Sequence, residues 1–378
     1  MQQGDNSNEI ELHQHHQKGK SLKVILYWNF WDPFIENQPL IDSLCPVTSC
    51  IFTSDQSVLN QSHVVLFFVD NELAIYNPMP TYRQAHQRFV FATHHGTPFH
   101  VALSNTSPDY YMPLYNDSRF RFDFFNWTMT YRLDSDVVMR QSMSVVVPIE
   151  YESSQQKKHS KIKPSQHLLM RKPSKSVQAI SRMGSKKKLI AWFPKHCNTL
   201  LRREDYVHQL RQYVPVDIYG ICANSTCGSL GCTSPEANFD MLRREYKFFL
   251  AIETFWCPDY VTEGFYKALD YDTVPIVLGG ADYDSLGPPH SFVNALNFSS
   301  VEALAEYLLL LEKNEELYVK YFDWKKTYRV VLQPMRGWCD LCRMAHDDNL
   351  PSKIYHDIKQ WWIDDGKCEN NSSNKYFK

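Results

Sequence analysis

The amino-acid sequence predicts an α/β protein with two Rossmann-like domains that face a cleft. Its 378 residues correspond to about two domains of the usual size, roughly 150 residues each. Short apolar segments recur along both halves without alternating with polar residues, which is typical of parallel strands covered on both faces. In the second half these segments also alternate with helical patterns, and this order is typical of βαβ units in a parallel sheet.

The composition is that of an ordinary globular protein and limits the possible partners. Hydrophobic residues make up 43% of the chain, charged residues 22%, and 40 basic residues stand against 42 acidic ones. This balance argues against a uniformly basic surface, so we expect no nucleic-acid partner. The longest apolar run, residues 64–69, is too short to span a bilayer, so we expect membrane attachment only through an anchor that is not present in this chain.

The first 150 residues are predicted to form a disordered polar tail, 1–20, and an N-terminal domain, 21–150. The tail is rich in Gln, Asn, His and Lys and has no apolar stretch, so it does not resemble a signal peptide. Within the domain, runs of β-favouring residues predict strands at 23–28, 64–69 and 88–93. The domain ends near a Val-rich run at 143–148.

A basic segment, residues 151–187, separates the two halves. Between residues 157 and 188 there are eleven Lys or Arg residues and no acidic residue, with Ser and Pro interspersed. One interpretation is a solvated linker between domains, which the Ser and Pro content favours. The alternative is a surface that binds polyanions or an anionic membrane.

Residues 188–345 are predicted to form the C-terminal domain, followed by a helix and tail at 346–378. The apolar patterns predict strands at 188–193, 216–220, 248–253 and 274–280, and helices at 203–213, 236–246, 260–269 and 301–311. The first helix would present Tyr206, Val207, Leu210 and Tyr213 on one face. In such a sheet, ligands bind beyond the carboxyl ends of the strands.

Sequons and cysteines favour the secretory pathway. Asn-X-Ser/Thr sequons begin at Asn60, Asn105, Asn116, Asn126, Asn224, Asn297, Asn370 and Asn371. The chain also has ten cysteines, which in that compartment favour structural disulfides. The alternative for Cys339 and Cys342 is a zinc site, which needs a second cysteine pair at a suitable distance. The sequence leaves the disulfide connectivity open.

The segment 246–279 carries the most informative pattern, a strand, a loop, a helix and a second strand. Glu253 stands at the carboxyl end of the first strand, and residues 260–263 open the helix. An acid there can hold ribose hydroxyls while the first-turn N–H groups face a phosphate. Alternatively, Asp259 or Thr262 caps the helix and Glu263 only complements its dipole. No GxGxxG or P-loop motif is present, and Gly279 with Gly280 is either a plain turn or a point of diphosphate approach.

This segment resembles the donor-binding signature of the α1,3/4-fucosyltransferases, glycosyltransferase family 10. The family pattern is roughly Tyr-Lys-Phe-X-Leu-X-Phe-Glu-Asn-Ser, then Asp-Tyr-Val-Thr-Glu-Lys, then Thr-Val-Pro-Val-Val-Leu-Gly. The chain has YKFFLAIETF, DYVTEG and TVPIVLG in these places. Residues 125–136, 190–210 and 321–342 also resemble family segments in the same order, so the likeness extends over about residues 22–345.

The resemblance implies a GT-B glycosyltransferase fold and an inverting α1,3-fucosyltransferase of the Golgi lumen. The C-terminal domain would bind GDP-fucose and the N-terminal domain an N-acetylglucosamine-containing glycan, with no metal or other cofactor in the site. A general base would take the acceptor's proton while cations stabilise the leaving diphosphate. By position, Arg203 would contact the diphosphate, Tyr260 the nucleotide and Glu263 the ribose or fucose hydroxyls. Glu253 matches the acid of the family's Phe-Glu-Asn.

Two departures from the family pattern concern catalysis. The motif lysine is replaced by Gly264, and Lys267 or Lys247 is the candidate to supply its charge. The base-bearing Glu-Ser-Pro motif is absent, and His95 is the first candidate for the base because imidazole titrates near neutrality. Asp109 is the second candidate, and loss of the base is the third possibility. The alternative function is therefore a catalytically weakened GDP-fucose- or glycan-binding relative with a scaffolding or regulatory role.

Overall fold

The computed structural model describes most of both halves of the chain. The described residues are 21–29, 40, 45–69, 79–80, 82–93, 117–139, 144–149, 186–197, 199, 201–220, 222, 235–332 and 336–369. The predicted tail 1–20 lies outside these ranges, as does the basic segment 151–187 except for its last two residues.

Within the described ranges, the first sheet has six parallel strands in the order β2-β1-β3-β4-β5-β6. They are β1 Lys23–Tyr27, β2 Cys50–Thr53, β3 Val64–Phe68, β4 Arg88–Ala92, β5 Trp127–Thr130 and β6 Val137–Val138. A 3₁₀ helix, Gln56–Gln61, and a short helix, α1 Ser118–Arg121, lie between strands. Every residue of β3 is buried, as expected for a central parallel strand that is covered on both faces. The prediction of parallel strands in this half is confirmed.

In the part of the chain that the structure describes, the second sheet has five parallel strands in the order β12-β11-β10-β8-β9. They are β8 Lys188–Trp192, β9 Val216–Ile218, β10 Tyr246–Ile252, β11 Val274–Leu278 and β12 Val293–Asn294. The chain runs from β8 outward to β9, then returns past β8 to build β10, β11 and β12 on its other side. The strand order therefore reverses between β8 and β10, and ligands of such sheets bind beyond the strand ends at this point.

Helices connect and cover the strands of the second sheet. They are α2 Arg203–Leu210, α3 Pro235–Glu245, α4 Glu263–Asp270, α5 Tyr283–Leu286, α6 Val301–Lys313 and α7 Glu315–Lys320, with 3₁₀ turns at Ala295–Asn297 and Asp323–Lys326. Tyr206, Val207 and Leu210 are buried as predicted. Tyr213 is 46% exposed, contrary to the prediction, because α2 ends at Leu210 and the chain turns before Tyr213.

Two elements pack on the half of the molecule opposite to the one predicted for them. Strand β7, Ser144–Pro148, pairs antiparallel with β13, Tyr328–Leu332, and its Val146 packs in the core of the second sheet. Helix α8, Arg336–Ala345, packs on the first sheet, where the Trp338 ring meets Tyr27 edge-on at 5.7 Å. The prediction had grouped 143–148 with the first domain and 188–345 with the second.

Four disulfides join the eight described cysteines. Cys45–Cys339 and Cys50–Cys342 fasten α8 to the first sheet, Cys197–Cys222 joins the loops after β8 and β9, and Cys257–Cys368 joins the loop after β10 to the C-terminal tail. The sulfurs of Cys339 and Cys342 are therefore not available as zinc ligands, and the disulfide interpretation is confirmed. The two cysteines bond to distant partners and not to each other.

The tail, residues 346–369, runs across the first half of the chain. Ile358 and Trp362 are buried against the first sheet's core, and Arg121 pairs with Asp357 at 2.5 Å. The predicted C-terminal helix is present in these residues only as a short π-helical turn, Gln360–Asp364.

Candidate active site

A pocket of about 560 Å³ opens at the reversal point of the second sheet. Its walls come from the loop after β8, the end of β10 and the start of α4. These segments include Arg203, Tyr260 and Glu263, which the sequence analysis had placed at the donor site. Three of the predicted residues therefore lie around one pocket.

Arg203 forms part of the pocket wall from a buried position. Its guanidinium donates from Nη1 to the Ile252 carbonyl at 2.9 Å and from Nη2 to the His196 carbonyl at 3.0 Å. The Nε atom has no hydrogen-bond partner among the described residues and lies 3.6 Å from Glu204 Oε1. Burial lowers the pKa of Arg203, but a guanidinium remains charged at any physiological pH. The site therefore contains a fixed positive charge held by backbone carbonyls.

Glu253 lies behind the pocket wall, with no exposed surface. Its Oε1 accepts hydrogen bonds from the Thr262 N–H at 2.9 Å, the Thr262 hydroxyl at 3.3 Å and the Tyr283 hydroxyl at 3.5 Å. Oε2 has no hydrogen-bond partner in the described part of the chain. Burial raises the pKa of Glu253 to about 7. Its contacts are those of a group that positions the start of α4, whereas the sequence analysis had assigned it to donor binding.

Glu263 is the first residue of α4 and stands between two lysines. Its Oε1 accepts from Lys195 Nζ at 2.6 Å, and its Oε2 lies 3.0 Å from Lys267 Nζ. Burial raises the pKa of Glu263, but hydrogen bonds from both lysines outweigh this effect and lower it below the usual value. Glu263 is thus a charged acceptor at the pocket edge.

Tyr260 joins the pocket to the first half of the chain. The residue is 3% exposed, and its ring meets the Tyr131 ring edge-on at 5.3 Å. Beside it, the Leu133 N–H donates to Asp259 Oδ2 at 3.1 Å. The pocket wall that carries Tyr260 therefore rests on the β5–β6 connection of the first sheet.

The two lysines proposed to replace the motif lysine occupy different places. Lys267 faces Glu263 and lies 4.9 Å from the Phe239 ring centroid. Lys247 does not come to the pocket, because it is the second residue of β10, near the opposite end of the strand, and donates to the Glu312 carbonyl at 3.1 Å. Sequence reasoning missed Lys195, which lines the pocket just beyond the end of β8. The available signal was its position directly after a parallel strand.

Gly279 and Gly280 are required by packing. A Cβ at Gly280 would lie 2.8 Å from the carbonyl oxygen of Cys257, and one at Gly279 would lie 2.6 Å from the Tyr283 hydroxyl. Neither glycine lines the pocket. The structure therefore favours the turn interpretation over diphosphate approach.

Several predicted features lie outside the described residues or have no effect on the pocket. His95 and Asp109, the candidates for the base, are not in the described ranges. Within those ranges no helix combines the length and the apolar character needed to cross a membrane.

The described sequons differ in exposure. Asn60 and Asn297 are exposed at their sequons. Asn126 is buried and accepts from the Phe89 N–H, so that sequon serves the fold.

Two sheets of parallel strands with flanking helices, and a pocket beyond the strand ends of the second sheet, form the architecture of the GT-B fold. Crystal structures of α1,3-fucosyltransferase share this fold. One of them, with GDP-fucose, matches with a TM-score of 0.51 at 16% identity, covering 90% of this chain and 95% of that one. A second matches with a TM-score of 0.52 at 17% identity, covering 88% and 93%.

Sequence comparison identifies the family. Residues 183–361 match the model of glycosyltransferase family 10 (fucosyltransferase) C-term, and residues 20–142 match fucosyltransferase, N-terminal. The chain is 32% identical to alpha-(1,3)-fucosyltransferase C of Drosophila melanogaster, over 94% of this chain and 81% of that protein. It is 30% identical to glycoprotein 3-alpha-L-fucosyltransferase A of the same organism, over 93% and 62%. The chain belongs to glycosyltransferase family 10, the fucosyltransferases.

Proposed function

We propose that this protein is an inverting α1,3-fucosyltransferase of the Golgi lumen. It transfers L-fucose from GDP-fucose to a hydroxyl of N-acetylglucosamine in a glycan, without a metal or other cofactor. The α1,3-fucosyltransferases among its relatives and the GDP-fucose complex among its structural neighbours support the reaction and the donor. The disulfides and the exposed sequons support the compartment.

The observation that carries this proposal is the convergence of positive groups on one pocket. Arg203 presents a buried guanidinium there, Lys195 an exposed ammonium, and α4 its N-terminal N–H groups. A diphosphate that leaves from fucose C1 gains negative charge, and such groups stabilise it most strongly where they are already in place. Glu263 stands beside these groups as an acceptor for sugar hydroxyls.

The reaction is a single displacement. The acceptor oxygen forms a bond to C1 of fucose while the bond from C1 to the phosphate oxygen breaks, and GDP leaves with that electron pair. The acceptor's proton passes to a general base, for which His95 is the first candidate and Asp109 the second. The base is expected in the N-terminal domain, facing the donor pocket.

A second candidate function follows from Gly264. The family's motif lysine is absent there, and a Cβ at this position would lie 3.1 Å from Phe249 Cε1, so the backbone site is already closely packed. A protein that binds GDP-fucose or glycans but transfers slowly would fit this loss of charge. Turnover separates the two functions.

The test is a transfer assay with GDP-fucose and two acceptors, N-acetyllactosamine and a core N-glycan. We expect turnover by the wild type and a loss of at least about 10²-fold for Arg203→Ala, because one preorganised donor to a developing charge contributes that much. For His95→Ala we expect a loss of roughly 10²–10⁴-fold in kcat with unchanged GDP affinity. Arg211→Ala, at the exposed end of α2, is the control and should behave as wild type.

The outcomes distinguish the alternatives. GDP-fucose binding without turnover on either acceptor would favour the binding relative. Failure of the wild type to bind GDP-fucose would refute the fucosyltransferase, and failure to bind either GDP-fucose or the two acceptors would refute both functions. Because Arg203 also donates to two backbone carbonyls, thermal unfolding of each variant must show that the fold is retained.

A further inference from the structure

Lys195 is the charged side chain on the pocket wall that no motif accounts for. It lies three residues beyond the end of β8, at the reversal point of the sheet, and its side chain is 73% exposed. Its ammonium donates to Glu263 Oε1 at 2.6 Å, at the edge of the pocket. The residue therefore faces α4 at its first turn, next to the position that has lost the motif lysine.

The backbone that directly follows Lys195 is held in place by two contacts. The next residue, His196, accepts the Arg203 guanidinium through its carbonyl oxygen, and Cys197 is bonded to Cys222. Among the described residues the side chain itself pairs with Glu263 alone, in a partly exposed ion pair that contributes little to stability. The Lys195 ammonium therefore extends from a restrained backbone and is held by one weak, exposed ion pair.

Lys267 is the competing source of charge, and its geometry differs. Its side chain is 27% exposed, pairs with Glu263 Oε2 and rests on the Phe239 ring, and Lys267 does not line the pocket. If Lys195 leaves Glu263 for another anion, Lys267 remains to hold that carboxylate. The two lysines therefore occupy different places, one exposed on the pocket wall and one more buried between Glu263 and Phe239.

We propose that Lys195 supplies the diphosphate cation that Gly264 cannot, from the opposite wall of the pocket. When the donor binds, the Lys195 ammonium leaves the Glu263 carboxylate and binds diphosphate oxygens inside the pocket. The diphosphate carries more negative charge than a single carboxylate, so this contact is the stronger one. Glu263 stays charged beside Lys267 and is released to accept sugar hydroxyls. This inference rests on the proposed function, because it assumes a nucleoside diphosphate in the pocket.

The test compares the affinities of GDP, GMP and guanosine by titration calorimetry. For Lys195→Ala we expect the Kd of GDP to rise about 10- to 100-fold and the Kd of guanosine to change less than about threefold, because only the phosphates lose a partner. Lys195→Arg keeps the charge and should stay within a few-fold of wild type. Lys267→Ala should raise the Kd of GDP less than Lys195→Ala does, and Lys320→Ala, on the exposed side of α7, is the matched control.

Turnover provides the second readout. In the transfer assay Lys195→Ala should lower kcat as well as donor affinity, because the leaving group has more negative charge in the transition state than in the ground state. If wild type binds GDP and Lys195→Ala binds it equally well, the inference about Lys195 is overturned and the proposed function stands. If wild type does not bind GDP, the proposed function fails, and this inference fails with it.

Discussion

Glu253 is a motif residue whose described hydrogen bonds are all made within the protein. Its carboxyl accepts two hydrogen bonds from Thr262, the residue that precedes α4, and so connects the end of β10 to the start of that helix. Thr262 makes no side-chain capping bond to the helix itself. The position of α4 relative to the strand, and hence of Glu263 at the pocket, therefore depends on a buried acid.

The titration of Glu253 predicts a pH dependence of stability. Its pKa in the folded chain is raised from 4.5 to about 7 by burial, so the folded state holds the proton more tightly than the unfolded state does. The free energy of unfolding should therefore fall as the pH rises from about 4.5 through 7, by up to roughly 3 kcal/mol from this group. In Glu253→Gln, which keeps the Oε1 acceptor and cannot ionise, this part of the decline should disappear.

Urea denaturation at pH 5, 6, 7 and 8 measures this effect as the slope of the free energy of unfolding against pH. The absolute stability of the variant does not decide the question, because the new amide N–H groups are also buried. Glu316→Gln, at the exposed start of α7, is the control and should keep the wild-type slope. Equal slopes for wild type and Glu253→Gln would show that Glu253 is already ionised in the folded protein at pH 5.

At the scale of the elements, the sequence predicted the features that depend on neighbouring residues, such as the bounds of single strands. The strands β8, β10 and β11 lie within one or two residues of their predicted bounds, because each is an apolar run between polar ends. The pairing of β7 with β13 was not predicted, since its partners are about 180 residues apart and neither sequence specifies the other. Arg203, Tyr260 and Glu263 were found through motif order, whereas Lys195 has no motif and required the loop geometry.

Helix α8 depends on both packing and covalent bonds. Trp338 and Leu341 are fully buried against the first sheet, and the helix carries two cysteines whose partners lie on the chain around β2. Either disulfide alone closes a loop of about 290 residues, from separations of 294 and 292. Once one is formed, the second closes a ring of only about ten residues and adds less.

This arrangement predicts non-additive effects of removing the two disulfides. Replacing Cys50 and Cys342 by Ser should lower the free energy of unfolding by about 2–3 kcal/mol, because Cys45–Cys339 still holds α8. Removing both bonds should cost more than twice that amount, since the long loop then opens. Denaturant unfolding followed by tryptophan fluorescence measures both; equal and additive losses would contradict the model in which the bonds share one loop.

At the scale of the whole molecule, the chain passes between its two halves more often than the predicted domain bounds implied. β7 leaves the first half to pair beside the second sheet, α8 returns to the first sheet, and the tail crosses back towards the loop after β10. Arg132 binds this tail, donating to the Trp361 carbonyl with its guanidinium 4.3 Å from the Trp361 ring centroid. The two-sheet architecture was predictable from strand patterns, but these crossings depend on pairings between distant segments.

The last of these crossings reaches the candidate active site. Thr254, Phe255 and Tyr260 line the pocket, and the loop that carries them is bonded through Cys257 to Cys368. A backbone hydrogen bond from the Glu369 N–H to the Trp256 carbonyl, at 2.8 Å, lies beside that disulfide. The C-terminal tail therefore restrains the wall that contains Tyr260.

Replacing Cys257 and Cys368 by Ser should weaken donor binding while leaving the chemical step nearly unchanged. Without the bond, the loop must be ordered by the ligand, and we expect the KM for GDP-fucose to rise about 5- to 10-fold, equivalent to about 1–1.4 kcal/mol, with kcat within twofold of wild type. The Cys50 and Cys342 double Ser variant is the matched control, because it removes a disulfide between two elements that do not line the pocket and should lower stability without changing KM. Steady-state kinetics at saturating acceptor, combined with thermal unfolding, separates the two effects. If both double variants raise KM alike, general loosening of the fold explains the result and the restraint on the Tyr260 wall is not specific.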